Sequence, residues 1–172
     1  MTSEPDKHND DPHGDYRALA MAVGHTIVQW ALIESQLDNW AILIFHDCGG
    51  KALAEKGALP REYKRKATFL RQCFRDLAPL EPFKLEGLSL LDKTPGLARI
   101  RHNLVHGTLE DMNLIDGVFR FRITETKLDH RKVGRFDFDP FTFPALEKEY
   151  SDVVGRAGVL AHQLIDHFRR ER

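Results

Sequence analysis

Residues 16–46, YRALAMAVGHTIVQWALIESQLDNWAILIFH, decide the fold class of this chain. Apolar side chains recur through this stretch at steps of three and four residues, the spacing that places them on one face of an α-helix. They are Leu19, Val23, Ile27, Trp30, Ile33, Leu37, Trp40, Ala41 and Ile44. Because the pattern stops at Cys48-Gly49-Gly50, the sequence predicts a long first helix that buries this face.

Three further helices follow, each with its own apolar stripe. Residues 61–77 form the second helix, and residues 143–169 form the last, whose stripe is close to heptad spacing and closes a bundle or a dimer interface. The third helix covers residues 83–91 and is kinked or restarted at Thr94-Pro95, because threonine suits the N-cap and proline the first helical position. It is predicted to end at Gly107.

Between the third and last helices the hydrophobic period changes from helical to alternating. Phenylalanines alternate with charged residues over 119–124 and 135–139, which predicts two antiparallel strands, and residues 108–114 are a candidate third strand. Arginines on one strand and aspartates on the other fit cross-strand pairing. The expected fold is mainly α: a four-helix up-and-down bundle with a small antiparallel β hairpin or three-stranded insertion, at about 108–139, before the last helix.

The composition predicts one ordinary domain. The 172 residues carry a net charge of -1 and are 42% hydrophobic, which favours a single domain over 16–172. Residues 1–15 hold five carboxylates among proline and glycine and predict a disordered acidic arm. Cys48 and Cys73 lie in apolar surroundings without a CxxC pair and are expected to be reduced thiols. Because no apolar stretch fits a membrane span or an export signal, a cytoplasmic protein is expected.

The candidate site lies in residues 98–107, ARIRHNLVHG, where groups suited to acid–base chemistry on a phosphate converge. Arginine supplies a permanent planar cation that matches phosphate oxygens, and histidine titrates close to neutral pH. At about 100° per residue, Arg101 projects into the apolar arc of the helix, whereas Arg99, His102, Asn103 and His106 lie on the other side.

A second charge breaks the apolar pattern of the first helix. Glu34 falls inside the arc that contains Trp30 and Leu37. Burying a charge without a partner costs several kcal/mol of folding free energy, so each such residue needs a partner. We therefore expect Glu34 and Arg101 to face each other as an ion pair across the first and third helices.

The stretch Arg101-His102-Asn103-Leu104-Val105-His106-Gly107 resembles the signature of the HEPN superfamily, in which a histidine follows an arginine by four to six positions. A long first helix with an internal Trp-x-x-x-Glu and a closing C-terminal helix extend the resemblance to most of the chain in outline. The strand insertion departs from the minimal HEPN bundle.

The resemblance implies a metal-independent endoribonuclease without a cofactor, acting as a homodimer with Arg101 and His106 of both protomers in one cleft. His106 would activate the ribose 2′-hydroxyl or protonate the leaving oxygen, Arg101 would stabilise the phosphoryl oxygens, and His102 and Asn103 would orient the phosphate. Such proteins include toxins and defence proteins, so an antitoxin or other regulatory protein is an expected partner. The basic side chains of the second helix could hold the RNA backbone; they are Arg61, Lys64, Arg65, Arg71 and Arg75.

The spacing leaves other functions open. Arg101 and His106 diverge by roughly 140° on a regular helix. They come together only if the helix end frays, if the long arginine side chain bends around, or if a second protomer brings its own histidine close. Alternatively, Arg101 serves the core and the chain is an inactive HEPN-like module that binds RNA or a protein. A zinc hydrolase is the third alternative, because His102 and His106 are spaced i, i+4, with Glu110, Asp111 or His130 as the third ligand.

Overall fold

A computed structural model describes residues 12–111, 115–127 and 130–170. Across them, four helices contain most of the chain: α1 (Pro12–Asp47), α2 (Tyr63–Asp76), α3 (Lys84–His106) and α4 (Phe143–Arg170). Strands β1 (Thr108–Leu109), β2 (Phe119–Lys127) and β3 (His130–Phe138) precede α4 and form an antiparallel sheet in the order β1-β2-β3. The predicted fold class is therefore confirmed.

Helix α1 begins earlier than the sequence predicts, at Pro12, so the last four residues of the predicted acidic arm are helical. Residues 1–11 lie outside the described residues. The inward face of α1 follows the predicted stripe, with Trp30, Ile33 and Trp40 buried, but Ile27 is 40% exposed. None of the helices in the described ranges has a span long and apolar enough to cross a bilayer.

The direction of α2 differs from the predicted up-and-down order. Three contacts define it, namely Trp30 with Tyr63, Asp38 with Lys66 and Phe45 with Phe69. Residue numbers rise together along both helices, so α2 runs in the same direction as α1. Residues 48–62, which contain two short 3-10 turns, return the chain along α1. A connection of this length can span tens of Å, roughly 3.3 Å per residue, which a tight helix-to-helix turn cannot.

Helix α3 runs antiparallel to both α2 and α4. Its residue Thr94 contacts Tyr63 at the start of α2, whereas Gly87 lies against Phe74 near the end of α2. On the other side, the Tyr150 hydroxyl donates a hydrogen bond of 2.8 Å to the Leu97 carbonyl of α3. The last two turns of α3 therefore extend beyond the start of α2.

Helix α3 continues through Pro95 instead of restarting there. Proline has no amide hydrogen, so the Leu91 carbonyl loses its usual helical donor. The Arg71 guanidinium and the Thr94 hydroxyl, which lies 3.0 Å away, donate to that carbonyl instead. Thr94 is thus not the predicted N-cap. It lies in the interior of α3, where its hydroxyl donates to the Leu91 carbonyl.

Two apolar clusters hold the helices and the sheet together. The larger lies among the four helices and contains Trp40, Phe74 and both cysteines. Cys48 and Cys73 are buried and form no disulfide, as predicted, and burial raises the pKa of the Cys73 thiol to about 12. The smaller cluster joins the start of α1 and the end of α3 to the phenylalanine face of the sheet; it comprises Leu19, Ala22, Leu104, Phe119, Phe121 and Phe138.

The polar face of the sheet pairs differently from the prediction. Arg120 lies opposite Asp137 in the register, but its ion pair, at 2.8 Å, is with Asp116 in the preceding turn. Arg122 lies opposite Arg135, a repulsive pair of like charges. Glu110 bridges these two arginines at 3.3 and 3.4 Å. The carboxylate that neutralises the face therefore comes from the residue after β1.

Candidate functional site

The end of α3 is fixed by a close approach of β2. The Gly107 amide donates to the Asn103 carbonyl at 2.8 Å, so the helix stays regular through His106. Gly107 has extended backbone angles, φ -72° and ψ 146°, which any residue adopts. A Cβ at this position would contact the Asn103 carbonyl and lie 2.7 Å from Ile123 Cδ1. Glycine is therefore required because the Asn103 carbonyl of α3 and the side chains of β2 together leave no space for a Cβ at the helix end.

His102 and His106 form an exposed imidazole pair on the last two turns of α3. Their ring centroids lie 4.8 Å apart with planes tilted by 48°, the arrangement expected for neighbours at i, i+4. Asn103 beside them is half-buried. The two imidazoles are thus held side by side on a rigid helix, open to solvent.

Arg99 is the arginine on the same face as the imidazole pair. At about 100° per residue it lies within about 60° of both His102 and His106 around the helix axis, and its side chain is exposed. The sequence-predicted site omits Arg99 because the motif names Arg101. The angular position of Arg99 around the helix axis, close to that of both histidines, was the sequence signal that could have identified it.

Arg101 lies on a different face of α3 from the imidazoles. It is half-buried, and its Nε atom is buried without a hydrogen-bond partner within the described residues. Burial raises the pKa of the neighbouring Tyr150 hydroxyl, and the Arg101 charge acts in the opposite direction. Because α3 stays helical through His106, the backbone holds Arg101 and His106 on different faces of the helix.

The predicted ion pair between Glu34 and Arg101 is wrong. Among the described residues, no salt bridge joins these two half-buried side chains. The charge of Glu34 instead acts on Tyr63, whose pKa is raised chiefly by burial and further by this carboxylate. Tyr63 donates to Thr94 at 2.8 Å. Trp30, one helical turn before Glu34, packs against the Tyr63 ring at 5.0 Å. This part of α1 therefore lies near Thr94, two helical turns or about 10 Å from Arg101 along α3.

The predicted RNA-binding cations of the second helix divide into two groups. Arg61, Lys64, Arg65 and Arg75 are exposed. Arg71 is not available for RNA, because its guanidinium donates to the Leu91 carbonyl and to Asp92, the latter at 3.4 Å. Its role is to supply the Leu91 carbonyl of α3 with the hydrogen bond that Pro95 cannot donate.

An open groove of about 640 Å³ lies between α2 and the connection that precedes it. Arg61, Lys64 and Arg65 line it together with Lys56 from the connection, and Phe69 contributes an apolar wall. Glu62 neutralises part of this charge through a 3.8 Å pair with Arg65. The structure thus brings three of the predicted RNA-binding residues to one groove.

The structure does not supply a third ligand for the zinc alternative among the described residues. Glu110 is held by Arg122 and Arg135, and the described residues contain no group of three metal-ligating side chains. The side chain of His130 lies outside the described part of the chain. His102 and His106 alone provide two ligands, one fewer than a catalytic zinc site uses.

No protein-family model, curated protein or solved structure matches this chain. The function is therefore argued from the chain's own residues: an exposed imidazole pair, an exposed arginine on the same face, and a basic groove on α2.

Proposed function

We propose that this protein is a metal-independent endoribonuclease of HEPN-like type that cleaves RNA by transesterification. The observation that carries the proposal is the exposed pair of imidazoles, 4.8 Å apart, at the end of α3. General acid–base catalysis of phosphodiester cleavage needs one group to accept a proton and another to donate one, and neutral pH favours histidine for both.

In this reaction His106 accepts the proton of the ribose 2′-hydroxyl, and the 2′-oxygen attacks the adjacent phosphorus. The bond from phosphorus to the 5′-oxygen breaks, and His102 donates a proton to that leaving oxygen. The products are a 2′,3′-cyclic phosphate and a 5′-hydroxyl. The reaction consumes no water and needs no metal ion. The roles of the two imidazoles can be exchanged without changing this balance.

Arg99 supplies the positive charge that the phosphoryl oxygens need in the transition state. It is exposed on the same face as both imidazoles, and guanidinium matches phosphate geometry. Arg101, which the motif would assign to this role, reaches the cleft only if a second protomer brings its own α3 end close. The expected homodimer would supply that second copy.

The basic groove of α2 extends the RNA contact away from the imidazole pair. Tyr63, the first residue of α2, lies level with Thr94, and His102 is eight residues further along α3, a rise of about 12 Å. A few nucleotides of single-stranded RNA span this distance. Contacts from Arg61, Lys64 and Arg65 to phosphates would weaken steeply with salt.

The test is cleavage of an end-labelled RNA by the purified protein in EDTA. We expect a cyclic-phosphate product, and we expect His106→Ala to slow cleavage by about 100-fold or more. His162→Ala is the matched control, because His162 is also exposed on a helix, α4, and its one hydrogen-bond contact with the described residues is to the Gly158 carbonyl. Circular dichroism checks that each variant is folded.

Each other outcome assigns a different function. Binding of RNA without cleavage, lost in Arg61→Ala with Lys64→Ala, would make the protein the RNA-binding module favoured by the basic groove. Cleavage that EDTA abolishes would assign a metal-dependent hydrolase. Equal cleavage by His106→Ala and the wild type would show that the activity does not reside at the imidazole pair.

A further inference from the structure

The outer face of α1 is apolar where a solvent-facing helix should be polar. Every exposed residue between positions 18 and 33 is apolar or glycine: Ala18, Ala20, Met21, Gly24, Ile27, Val28, Ala31 and Leu32. Met21 is 68% exposed and Val28 59%, whereas the polar Thr26 of the same segment is fully buried. An ordinary surface helix is apolar on its buried face alone, whereas this segment is apolar on both its buried and its exposed face.

The other helices show that this property is specific to α1. The exposed residues of α2 are all polar; they are Lys64, Arg65, Thr68, Gln72, Arg75 and Asp76. Exposed apolar side chains elsewhere, such as Val159 on α4, stand among charged neighbours. We call the eight exposed residues between positions 18 and 32 of α1 the α1 outer face.

We infer that the α1 outer face is the interface of a homodimer, in which two copies of α1 pack against each other. The HEPN resemblance already implies a homodimer; the inference adds the surface that forms it, and that surface is argued without reference to catalysis at the imidazole pair. The face exposes on the order of 500 Å² of apolar surface, at the upper end of what monomers leave contiguous. One side of a standard interface buries about 800 Å², of which a little over half is apolar. The α1 outer face supplies that apolar share.

The face is complementary to itself. In an antiparallel pair of α1 helices related by a two-fold axis at Val28, Met21 lies opposite Ser35 and Leu32 lies opposite Gly24. Met21 and Leu32 therefore each meet a small residue, and the two copies of Val28 meet at the axis. A Cβ built at Gly24 has open space around it, so none of the residues that the structure describes in the same chain fills the position opposite Leu32.

Other occupants fit this face less well. Residues 1–11, MTSEPDKHNDD, hold too few apolar side chains to cover it. A helix that lies on a membrane surface carries lysine and arginine along its polar flanks, but between residues 18 and 47 α1 contains neither. An uncharged, self-complementary stripe is best matched by a second copy.

The inference is tested by analytical ultracentrifugation of the full chain over a range of concentrations. We expect a dimer for the wild type, and we expect Val28→Asp to raise the dimer dissociation constant about 100-fold or more, because a charge becomes desolvated at the centre of the interface. Val159→Asp is the matched control: Val159 is 58% exposed, almost the same as Val28. It should leave the dimer intact.

A cross-linking experiment separates a broken interface from a damaged fold. Both native cysteines are buried, so Val28→Cys introduces the accessible thiol of α1, and the two copies meet at the axis. Mild oxidation should give a disulfide-linked dimer for Val28→Cys and not for Val159→Cys. A monomeric wild type, a dimer that persists in Val28→Asp, or equal cross-linking at both positions would each overturn the inference, as would binding of a monomer to phosphatidylcholine vesicles.

Discussion

The two halves of α3 use their polar side chains in opposite ways. Over residues 84–97, these side chains meet partners on neighbouring helices: Glu86 with Arg156, Asp92 with Arg71, Lys93 with Asp152, and Thr94 with Tyr63. Over residues 98–106, the exposed Arg99, His102 and His106 form no hydrogen bond or ion pair with the described residues, and the buried Arg101 Nε lacks a partner.

This difference separates residues that build the fold from residues that remain available to a ligand. Buried polar groups in native proteins are nearly always paired, so the Arg101 Nε atom, which has no partner among the described residues, is an exception. Exposed polar residues on a rigid element are where binding and catalysis concentrate. The comparison predicts that substitutions in the first half of α3 change stability, whereas those in its last two turns change activity.

The largest effect on stability is expected at the boundary of the second half, at Gly107. Gly107→Ala places a methyl group against the Asn103 carbonyl and 2.7 Å from Ile123 Cδ1, so β2 or the helix end must move. We expect the free energy of unfolding to fall by about 2–3 kcal/mol in urea denaturation.

Gly96 in the same helix provides the control for that prediction. It is exposed, and a Cβ there meets nothing within 4 Å. Gly96→Ala should therefore raise the free energy of unfolding by about 0.5–1 kcal/mol, because alanine loses less backbone entropy in a helix. Equal effects of the two substitutions would contradict the close packing of β2 against the helix end.

The next effect concerns Arg71, which donates to the carbonyl left free by Pro95. Arg71→Met should lower the free energy of unfolding by about 1–2 kcal/mol, because the partly buried Leu91 carbonyl loses a charged donor. In a Pro95→Ala background the new amide can donate to the same carbonyl, so the cost of Arg71→Met should fall by about half or more. An unchanged cost would show that Arg71 stabilises the helix in another way.

Arg101→Met is the matched substitution in the second half of α3. Because the Arg101 Nε is buried without a partner, replacing the side chain by an apolar one of similar length should change the free energy of unfolding by less than about 0.5 kcal/mol, or raise it. A loss comparable to that of Arg71→Met would break the comparison. Loss of RNA cleavage with full stability would instead assign Arg101 the phosphate-binding role that the HEPN resemblance implies.

The helices and strands whose apolar residues recur at a regular spacing were predicted from the sequence. The buried stripe of α1 and the alternating phenylalanines of β2 and β3 required no knowledge of neighbours, because one buried face determines the pattern. Thr94-Pro95 was misinterpreted as a helix start, because Arg71 from another helix supplies the missing donor.

The same limit explains the errors at the site. The pairing of Glu34 with Arg101 was inferred from two helical wheels, which give the rotation of each side chain but not its level along a neighbouring helix. The direction of α2 likewise depends on the path of residues 48–62, for which no periodicity exists. The imidazole pair was predictable because both histidines lie on one helix, where spacing alone determines the contact.

The smallest effect is the pH dependence of the first half of α3. Arg156 donates two hydrogen bonds of 2.8 Å to the Glu86 carboxylate and holds its pKa below the ordinary value of 4.5. A lowered pKa in the folded state means that the stabilisation is present above pH 4.5 and is lost as the pH falls further through the folded pKa. Because the Glu86 side chain is 41% exposed, solvent screening limits the contribution to about 0.5 kcal/mol.

Urea denaturation at pH 7 and at pH 3, roughly the ends of the carboxylate titration, measures this contribution. Glu86→Gln removes the titrating group, so the variant should be less stable than the wild type at the higher pH and nearly equal to it at the lower. Ser89→Ala, one turn away beside the same arginine, should keep the wild-type pH dependence. If Glu86→Gln retained the full pH dependence, the acid sensitivity would belong to other carboxylates, and the pairing that distinguishes the first half of α3 would contribute nothing measurable to the fold.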